Sequence, residues 1–319
     1  NNEGKLEIEW SEGNHVSYYD QEWLRKNCYT INNNKKYTSP YKLWDCSLQK
    51  NLENIKINLS TTSTKDTCIK DINDLKYESF FFNSNSFDKN LIKKLNEADH
   101  ILISIPPING IDLVVKNFSK SLNNPNLKWI TYLSATSIYG DHEGKWVNEE
   151  SKARPTSSNG VARLSAEKSW LSLEKDKNFP IQIFRLSGIY SNENNILTRL
   201  KSGNVNLINK KNHFFSRIHT EDVANILFKS LTKFKSGEIY NISDDKPSSS
   251  EEVTTFAVKL IDVDIPKKIE INEIKSEMLK NFYKDSKKVS NKKMKNFFSY
   301  RLKFPTYVEG LNYIKDNFI

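Results

Sequence analysis

Cysteine is scarce in this protein. Only Cys28, Cys46 and Cys68 occur, widely separated and without a Cys-x-x-Cys pair. An odd, sparse set excludes a disulfide framework and points to a reducing, cytoplasmic setting. Long apolar runs are missing as well. The longest stretches, such as Ile101–Pro107, have strand length, well short of the ~18 apolar residues that a membrane span needs. No basic-then-apolar segment stands at the start, so no signal segment is expected. The first residue is Asn1 rather than Met, which reads as a piece of a longer product. No internal repeat is present.

What is there suits a globular protein. Hydrophobic residues make up 37% and charged residues 27% of 319 positions, enough for one large α/β domain with a small one. The net charge is +9. Its densest part is Lys287, Lys288, Lys292, Lys293 and Lys295. No aromatic interleaving or recognition-helix pattern accompanies it, so a solvated lysine surface is expected rather than a nucleic-acid partner.

The sequence pattern changes near residue 55. Before it, Lys5–Trp10 alternates apolar and polar, Ser11–Asn14 is a turn and His15–Tyr19 alternates again, which predicts a hairpin. After it, strand candidates at Ile55–Leu59, Ser79–Asn83, His100–Pro106, Trp129–Leu133 and Ile181–Leu186 alternate with helical patterns. The helical patterns are Asn90–Ala98, Ile111–Leu122 and Val161–Glu174. This alternation implies βαβ units and a Rossmann-like, doubly wound parallel sheet. Further on, Thr220–Asp222 opens a helix with a capping hydroxyl, and Ser249–Glu252 has capping-box spacing. Trp146 and Trp170 are expected to be packing anchors.

At Leu133-Ser-Ala-Thr-Ser-Ile-Tyr-Gly-Asp141 the sequence resembles extended short-chain dehydrogenases/reductases of the NAD-dependent epimerase/dehydratase type. The resemblance continues in order through Phe184–Tyr190, Arg217–Val223, Glu238–Ile242 and Phe304–Leu311. It covers residues 55–319 and implies an NAD(P)-dependent oxidoreductase or epimerase acting on a sugar-like or other polar small molecule. The oligomeric state stays open.

The departures from that family are specific. Its first strand and glycine-rich loop, where the backbone approaches the pyrophosphate, have no counterpart here. Ile55–Leu59 is similar to the second strand, so the first strand is expected to be missing, with Leu6–Trp10 a candidate to fill the slot. The family's Tyr-x-x-x-Lys falls on Asn159 and Arg163. Asn cannot exchange a proton, and Arg does not titrate. The orienting Ser/Thr position is Ala135, flanked by Ser134 and Thr136. The resemblance therefore leaves Tyr139, Arg163, Ser134 and Thr136 as catalytic candidates. For the cofactor it implies Ser60, Thr62, Ser63, Ser104, Pro106 and Arg163. No acid ends the second strand before Asp66, and Ser63 and Lys65 tilt the choice toward NADP over NAD. Asp141, His142, Arg185 and Arg217 are substrate-side candidates, Arg185 and Arg217 being equally readable as ion-pairing residues. Arg163 also stands one turn before Glu167, a possible partner.

The segment Leu6–Gly13, Tyr19 and Trp23-Leu-Arg-Lys-Asn-Cys28 resembles the N-terminal domain of γ-butyrobetaine hydroxylase-type dioxygenases. This implies a β-rich domain over residues 1–54. Cys28 matches the first ligand of that family's zinc site, but one thiolate is not a four-ligand site, so no metal is expected. His219-Thr-Glu221 has the spacing of an iron triad without a second histidine after it. The leading expectation is an epimerase/dehydratase-like protein with degenerate chemistry. The alternatives are a non-catalytic binding module, or a fusion of a dioxygenase N-terminal domain with a truncated dehydrogenase.

Overall fold

The structure is a computed structural model that describes residues 6–9, 16–19, 60–63, 78–82, 86–203, 205–208, 210, 212–275, 280 and 283–319. The protein forms two compact units, residues 1–105 with 113–130, and residues 106–112 with 131–319.

In the first unit, β1 (Leu6–Glu9) and β2 (Val16–Tyr19) pair antiparallel, Leu6 opposite Tyr19, as the alternation predicts. They form a two-stranded sheet of their own, so β1 does not take a place in the large sheet. The expected strand at Ile55–Leu59 lies outside the described residues, as do Trp23–Cys28. The strand β3 is instead Ser60–Ser63, parallel to β4 (Glu78–Phe81). Next come α1 (Asn90–Glu97), β5 (His100–Ile103), α2 (Leu113–Phe118) and the start of β6 (Trp129–Ala135). Phe80, Phe82, Leu91, Ile101, Ile103 and Phe118 are buried. The ring of Phe118 meets Phe82 at 5.4 Å and Phe87 at 4.7 Å, which accounts for the aromatic run around residue 80.

In the second unit, β6 ends in a 3-10 turn (Thr136–Tyr139), followed by β7 (Trp146–Val147), α3 (Ser158–Lys177), β8 (Ile181–Leu186), β9 (Gly188–Tyr190) and α4 (Ile196–Lys201). Then follow β10 (Leu207–Ile208), β11 (Arg217–His219), α5 (Thr220–Thr232), β12 (Ile239–Ile242), α6 (Ser250–Ile261) and β13 (Lys268–Ile269). The last elements are β14 (Lys288–Val289), α7 (Lys292–Phe298) and α8 (Tyr307–Phe318). All six residues of β8 and six of the seven in β6 are buried, as expected of parallel strands covered on both faces.

The main sheet has the order β12-β8-β6-β5, and β3-β4 is a separate pair. A doubly wound sheet runs 3-2-1-4-5-6. With β4, β3, β5, β6 and β8 standing for its strands 3, 2, 4, 5 and 6, the hydrogen-bonded ladder among the described residues breaks where strand 1 would lie.

Three expectations need correction. The cap of α5 is His219, whose Nδ1 accepts the Glu221 N–H at 3.2 Å. Thr220 is already helical, so its hydroxyl cannot cap. Trp170 is fully buried, but Trp146 is 58% exposed on a two-residue edge strand and anchors nothing. The lysine patch is largely paired: Lys287 with Asp285, Lys293 with Glu238 and Lys295 with Asp245.

Candidate active site

Two glycines set the position of the site. Gly140 follows the 3-10 turn at φ +68°, and a Cβ there would lie 1.7 Å from the Arg154 carbonyl oxygen. Gly160, in the first turn of α3, would place a Cβ 2.7 Å from the Ser137 carbonyl oxygen. The absence of side chains lets α3 lie against the turn that carries Tyr139. Ser157 caps α3 by accepting the Gly160 N–H. Helical spacing then buries Ala162, Arg163, Ala166, Glu167 and Trp170 on one face.

That face puts charge beneath the sheet. Arg185 on β8 meets Glu167 with Nη2 2.8 Å from Oε2 and Nε at 3.1 and 3.2 Å from the two carboxylate oxygens. The Ser134 hydroxyl donates to Glu167 Oε1 at 2.5 Å. Arg185 Nη1 donates to Tyr139 Oη at 2.9 Å, and Tyr139 donates to Asn241 Oδ1 at 2.7 Å. Asn241 is held in turn by Ser290, whose carbonyl accepts from its Nδ2, and by Glu149, whose Oε1 accepts its backbone N–H. Ser134, Tyr139, Glu167, Arg185 and Asn241 are all buried.

Burial pushes the Tyr139 phenol up to about 12, against the opposing pull of the Arg185 cation and of the Asn241 hydrogen bond. Burial works against the Arg185 cation, but the bonds to Glu167 outweigh it and raise its pKa. Such a phenol is held neutral, and each of its partners is a protein group. A charge pair buried this way is costly to break.

The expected site residues divide into three groups. Tyr139, Ser134 and Arg185 are brought together. Arg163 lies on the same helix face, fully buried, with Nη1 donating to the Leu133 carbonyl at 2.5 Å, so Glu167 pairs with Arg185. Thr136, half-buried, opens the 3-10 turn between Ser134 and Tyr139. Asp141 and His142 sit beyond that turn. Asp141 is exposed, and its Oδ1 accepts the N–H groups of Ser286 (2.8 Å) and Glu143 (3.2 Å). Partial burial would raise its carboxyl, but those bonds and the Lys210 and Lys287 charges hold it low. His142 stands edge-on to the Tyr139 ring at 6.3 Å.

The third group is Arg217 and the cofactor candidates. Arg217 is held by the Phe215 and Ser248 carbonyls at 3.2 and 3.1 Å. Ser60, Thr62 and Ser63 form β3, while Ser104 and Pro106 follow β5, half-buried and exposed respectively. Asn241 and Glu149 were not singled out from the sequence, and Glu167 entered it only as a possible partner of Arg163. The signal for Glu167 was its place four residues after Arg163, on the stripe of Ala162, Ala166 and Trp170. Among the described residues no group of three or more His, Cys, Asp or Glu side chains is placed to hold a metal ion. No described helix is long and apolar enough to cross a membrane.

Comparison with known proteins bears on these residues. Residues 114–243 match the family model for the NAD dependent epimerase/dehydratase family. No curated protein matches the sequence. Among solved structures, a functionally unknown conserved protein from Silicibacter pomeroyi DSS is 30% identical, covers 82% of this chain and 90% of its own, and superposes with a TM-score of 0.74. A dTDP-glucose 4,6-dehydratase from Bacillus anthracis, solved with NAD, is 17% identical over 85% of this chain and 92% of its own, with a TM-score of 0.65. A UDP-glucuronic acid 4-epimerase from Bacillus cereus, also solved with NAD, is 17% identical over 85% and 94%, again at 0.65. Residues 114–243, across β6, α3, β8 and β12, thus form a domain of the NAD dependent epimerase/dehydratase family, and a 30% identical relative of unknown function spans the fold.

Proposed function

We propose that this protein is of the epimerase/dehydratase type, binds a small polar molecule and no longer runs the family's tyrosine-dependent reaction. The observation that carries this reading is the enclosure of the Tyr139 hydroxyl between Arg185 and Asn241, with its phenol pushed up to about 12. A general acid or base needs a pKa near the working pH and a partner on the substrate. Tyr139 has neither.

The residues at the Tyr and Lys positions do not fit a nicotinamide ribose in the family's manner. Asn159 is exposed and cannot exchange a proton, and the Arg163 side chain is buried against the Leu133 carbonyl. No chemical step is therefore assigned to a dinucleotide here. NAD is the cofactor of the family and is bound in the solved neighbours. NAD or NADP remains the dinucleotide class to test, with Ser60, Thr62, Ser63, Ser104 and Pro106 on its side. Asp141, His142 and Arg217 are the proposed substrate contacts, and sugar-like molecules are favoured because the neighbours are named for sugar nucleotides. In this reading Ser134, Tyr139 and Arg185 position the sheet edge. The proposed layout keeps residues 1–54 as the β-rich, γ-butyrobetaine hydroxylase-like domain and 55–319 as the dehydrogenase-like domain of a cytoplasmic protein.

The test is calorimetric titration of the full-length protein with NAD, NADH, NADP and NADPH, followed by turnover assays with sugar nucleotides. Binding without turnover supports the proposal. Turnover that disappears in Tyr139→Phe, with the fold intact, overturns it.

A further inference from the structure

The sequence contains two Asn-Gly pairs, Asn109-Gly110 and Asn159-Gly160, and the fold treats them oppositely. Asn109 and Gly110 sit at φ +51° and +79°, the positive values of a two-residue type I′ turn, for which Asn-Gly is the favoured pair. The turn is closed by two backbone bonds, Ile108 N–H to Ile111 O and Ile111 N–H to Ile108 O, both 2.9 Å. All four residues are exposed, Ile108 by 43% and Ile111 by 47%. No atom lies within 4 Å of where a Gly110 Cβ would be. Among the described residues the Gly110 N–H donates no hydrogen bond. Gly160 is buried in the first turn of α3, its N–H donating to Ser157 Oγ at 3.1 Å and its Cα close to the Ser137 carbonyl.

We propose that Asn109 is a built-in deamidation site and Asn159 is a protected one. The Gly110 amide nitrogen attacks Asn109 Cγ. A new N–Cγ bond forms, the bond between Cγ and Nδ2 breaks, and ammonia leaves with the proton given up by the Gly110 nitrogen. Water then opens the resulting succinimide at either carbonyl, giving aspartate or isoaspartate. No residue other than these two takes part, and water is the only co-reactant.

Glycine at the second position leaves the attack unhindered. The folded turn must first open, and with two hydrogen bonds and no packing at its tip that opening is cheap. Opening the first turn of α3 would instead break the Ser157 cap and the contact of α3 with the turn bearing Tyr139. The product puts a negative charge, and in the isoaspartyl form an extra backbone carbon, into the loop that leaves the carboxyl end of β5. Doubly wound sheets bind ligands at that edge. Below the tip, Asp112 is anchored by accepting the Trp170 Nε1–H at 2.9 Å. The isoaspartyl form is a carboxyl-methyl acceptor for enzymes that repair such bonds with S-adenosylmethionine.

The experiment incubates the folded full-length protein at pH 8 and at pH 5, with a denatured sample alongside. Peptides are mapped for the amide-to-acid mass change, and isoaspartate is scored by enzymatic methyl acceptance. The Asn109 peptide should convert at least about tenfold faster than the Asn159 peptide in the folded protein. The two should converge in the denatured one, and Asn109→Gln should abolish methyl acceptance. Equal rates in the folded protein, faster conversion of Asn159, or an Asn109 peptide unchanged while the denatured sample converts fully would each overturn the proposal.

Discussion

Arg185 grips both carboxylate oxygens of Glu167 and, with its remaining nitrogen, the hydroxyl of Tyr139. Tyr139 and Arg185, both expected from the sequence to be site residues, are thereby joined to a carboxylate on α3. Glu167→Ala leaves the Arg185 cation buried beside an uncharged neighbour, and a cost of about 3–5 kcal/mol is expected. The double variant Glu167→Met with Arg185→Met removes both charges and should recover most of that loss. Urea unfolding of the three proteins measures this. A single-variant loss near zero would mean that the pair is not buried in solution.

The Tyr139 hydroxyl accepts one hydrogen bond and donates another within this network. Tyr139→Phe should cost about 1–2 kcal/mol of stability and leave dinucleotide affinity unchanged. Thermal unfolding and calorimetry on the same preparation separate the two effects. A variant of undiminished stability with altered ligand affinity would place the hydroxyl at the ligand instead of in the scaffold.

The sequence carried the scaffold well where pattern and packing agree. Ile181–Leu186 is a strand with the bounds read from the sequence, four of its six residues being apolar and the two buried polar ones, Gln182 and Arg185, being hydrogen-bonded to Thr131 and Glu167. Val161–Glu174 marks α3, whose true ends lie at the Ser157 cap and the left-handed Asn178. Partner choice was not legible. Arg163 and Glu167 stand one turn apart, and local spacing pairs them, but tertiary structure gives Arg163 a carbonyl and Glu167 an arginine from the next strand. A side chain on a buried helix face is claimed by whatever the sheet presents, and only the fold brings residue 185 to residue 167. The Asn241 contact spans 102 positions of sequence and had no local signal at all.

Gly140 provides a sharper test of the geometry near Tyr139. Gly140→Ala would force a Cβ against the Arg154 carbonyl at φ +68°. Neither the backbone nor a flexible side-chain tip can give way there, so the cost should reach at least about 3 kcal/mol. Gly203 makes the control. It has nearly the same φ, +69°, but nothing within 4 Å, so Gly203→Ala should cost only about 1 kcal/mol. Equal losses at the two positions would show that conformation alone, without the close approach of Arg154, governs both.

The pH dependence of stability should be set by two buried groups of opposite sense. Burial pushes the Asp244 carboxyl up from 3.8 to about 8, the nearby Arg217 cation only partly countering it. Burial pushes His213 down from 6.5 to about 4, with Lys210 adding to the effect. Asp244 holds a proton in the folded state that the unfolded state releases above 3.8, so its contribution is full below that pH and is lost as pH rises to about 8. His213 is the reverse. The unfolded state takes up a proton below 6.5 that the folded state refuses, so its contribution is lost as pH falls from 6.5 to about 4. Between about 4 and 6.5 the two slopes oppose each other, and stability should be nearly flat. Between 6.5 and 8 only Asp244 remains of the two, and stability should fall by up to about 1.4 kcal/mol per pH unit. Urea unfolding midpoints across this range provide the check. Asp244→Asn should remove the fall above 6.5 and leave an acid-side loss from His213, whereas His213→Gln should extend the fall down toward pH 4. A wild-type profile that is flat from pH 6.5 to 8 would mean that Asp244 is ionised in the folded protein, with Arg217 as its true counter-ion.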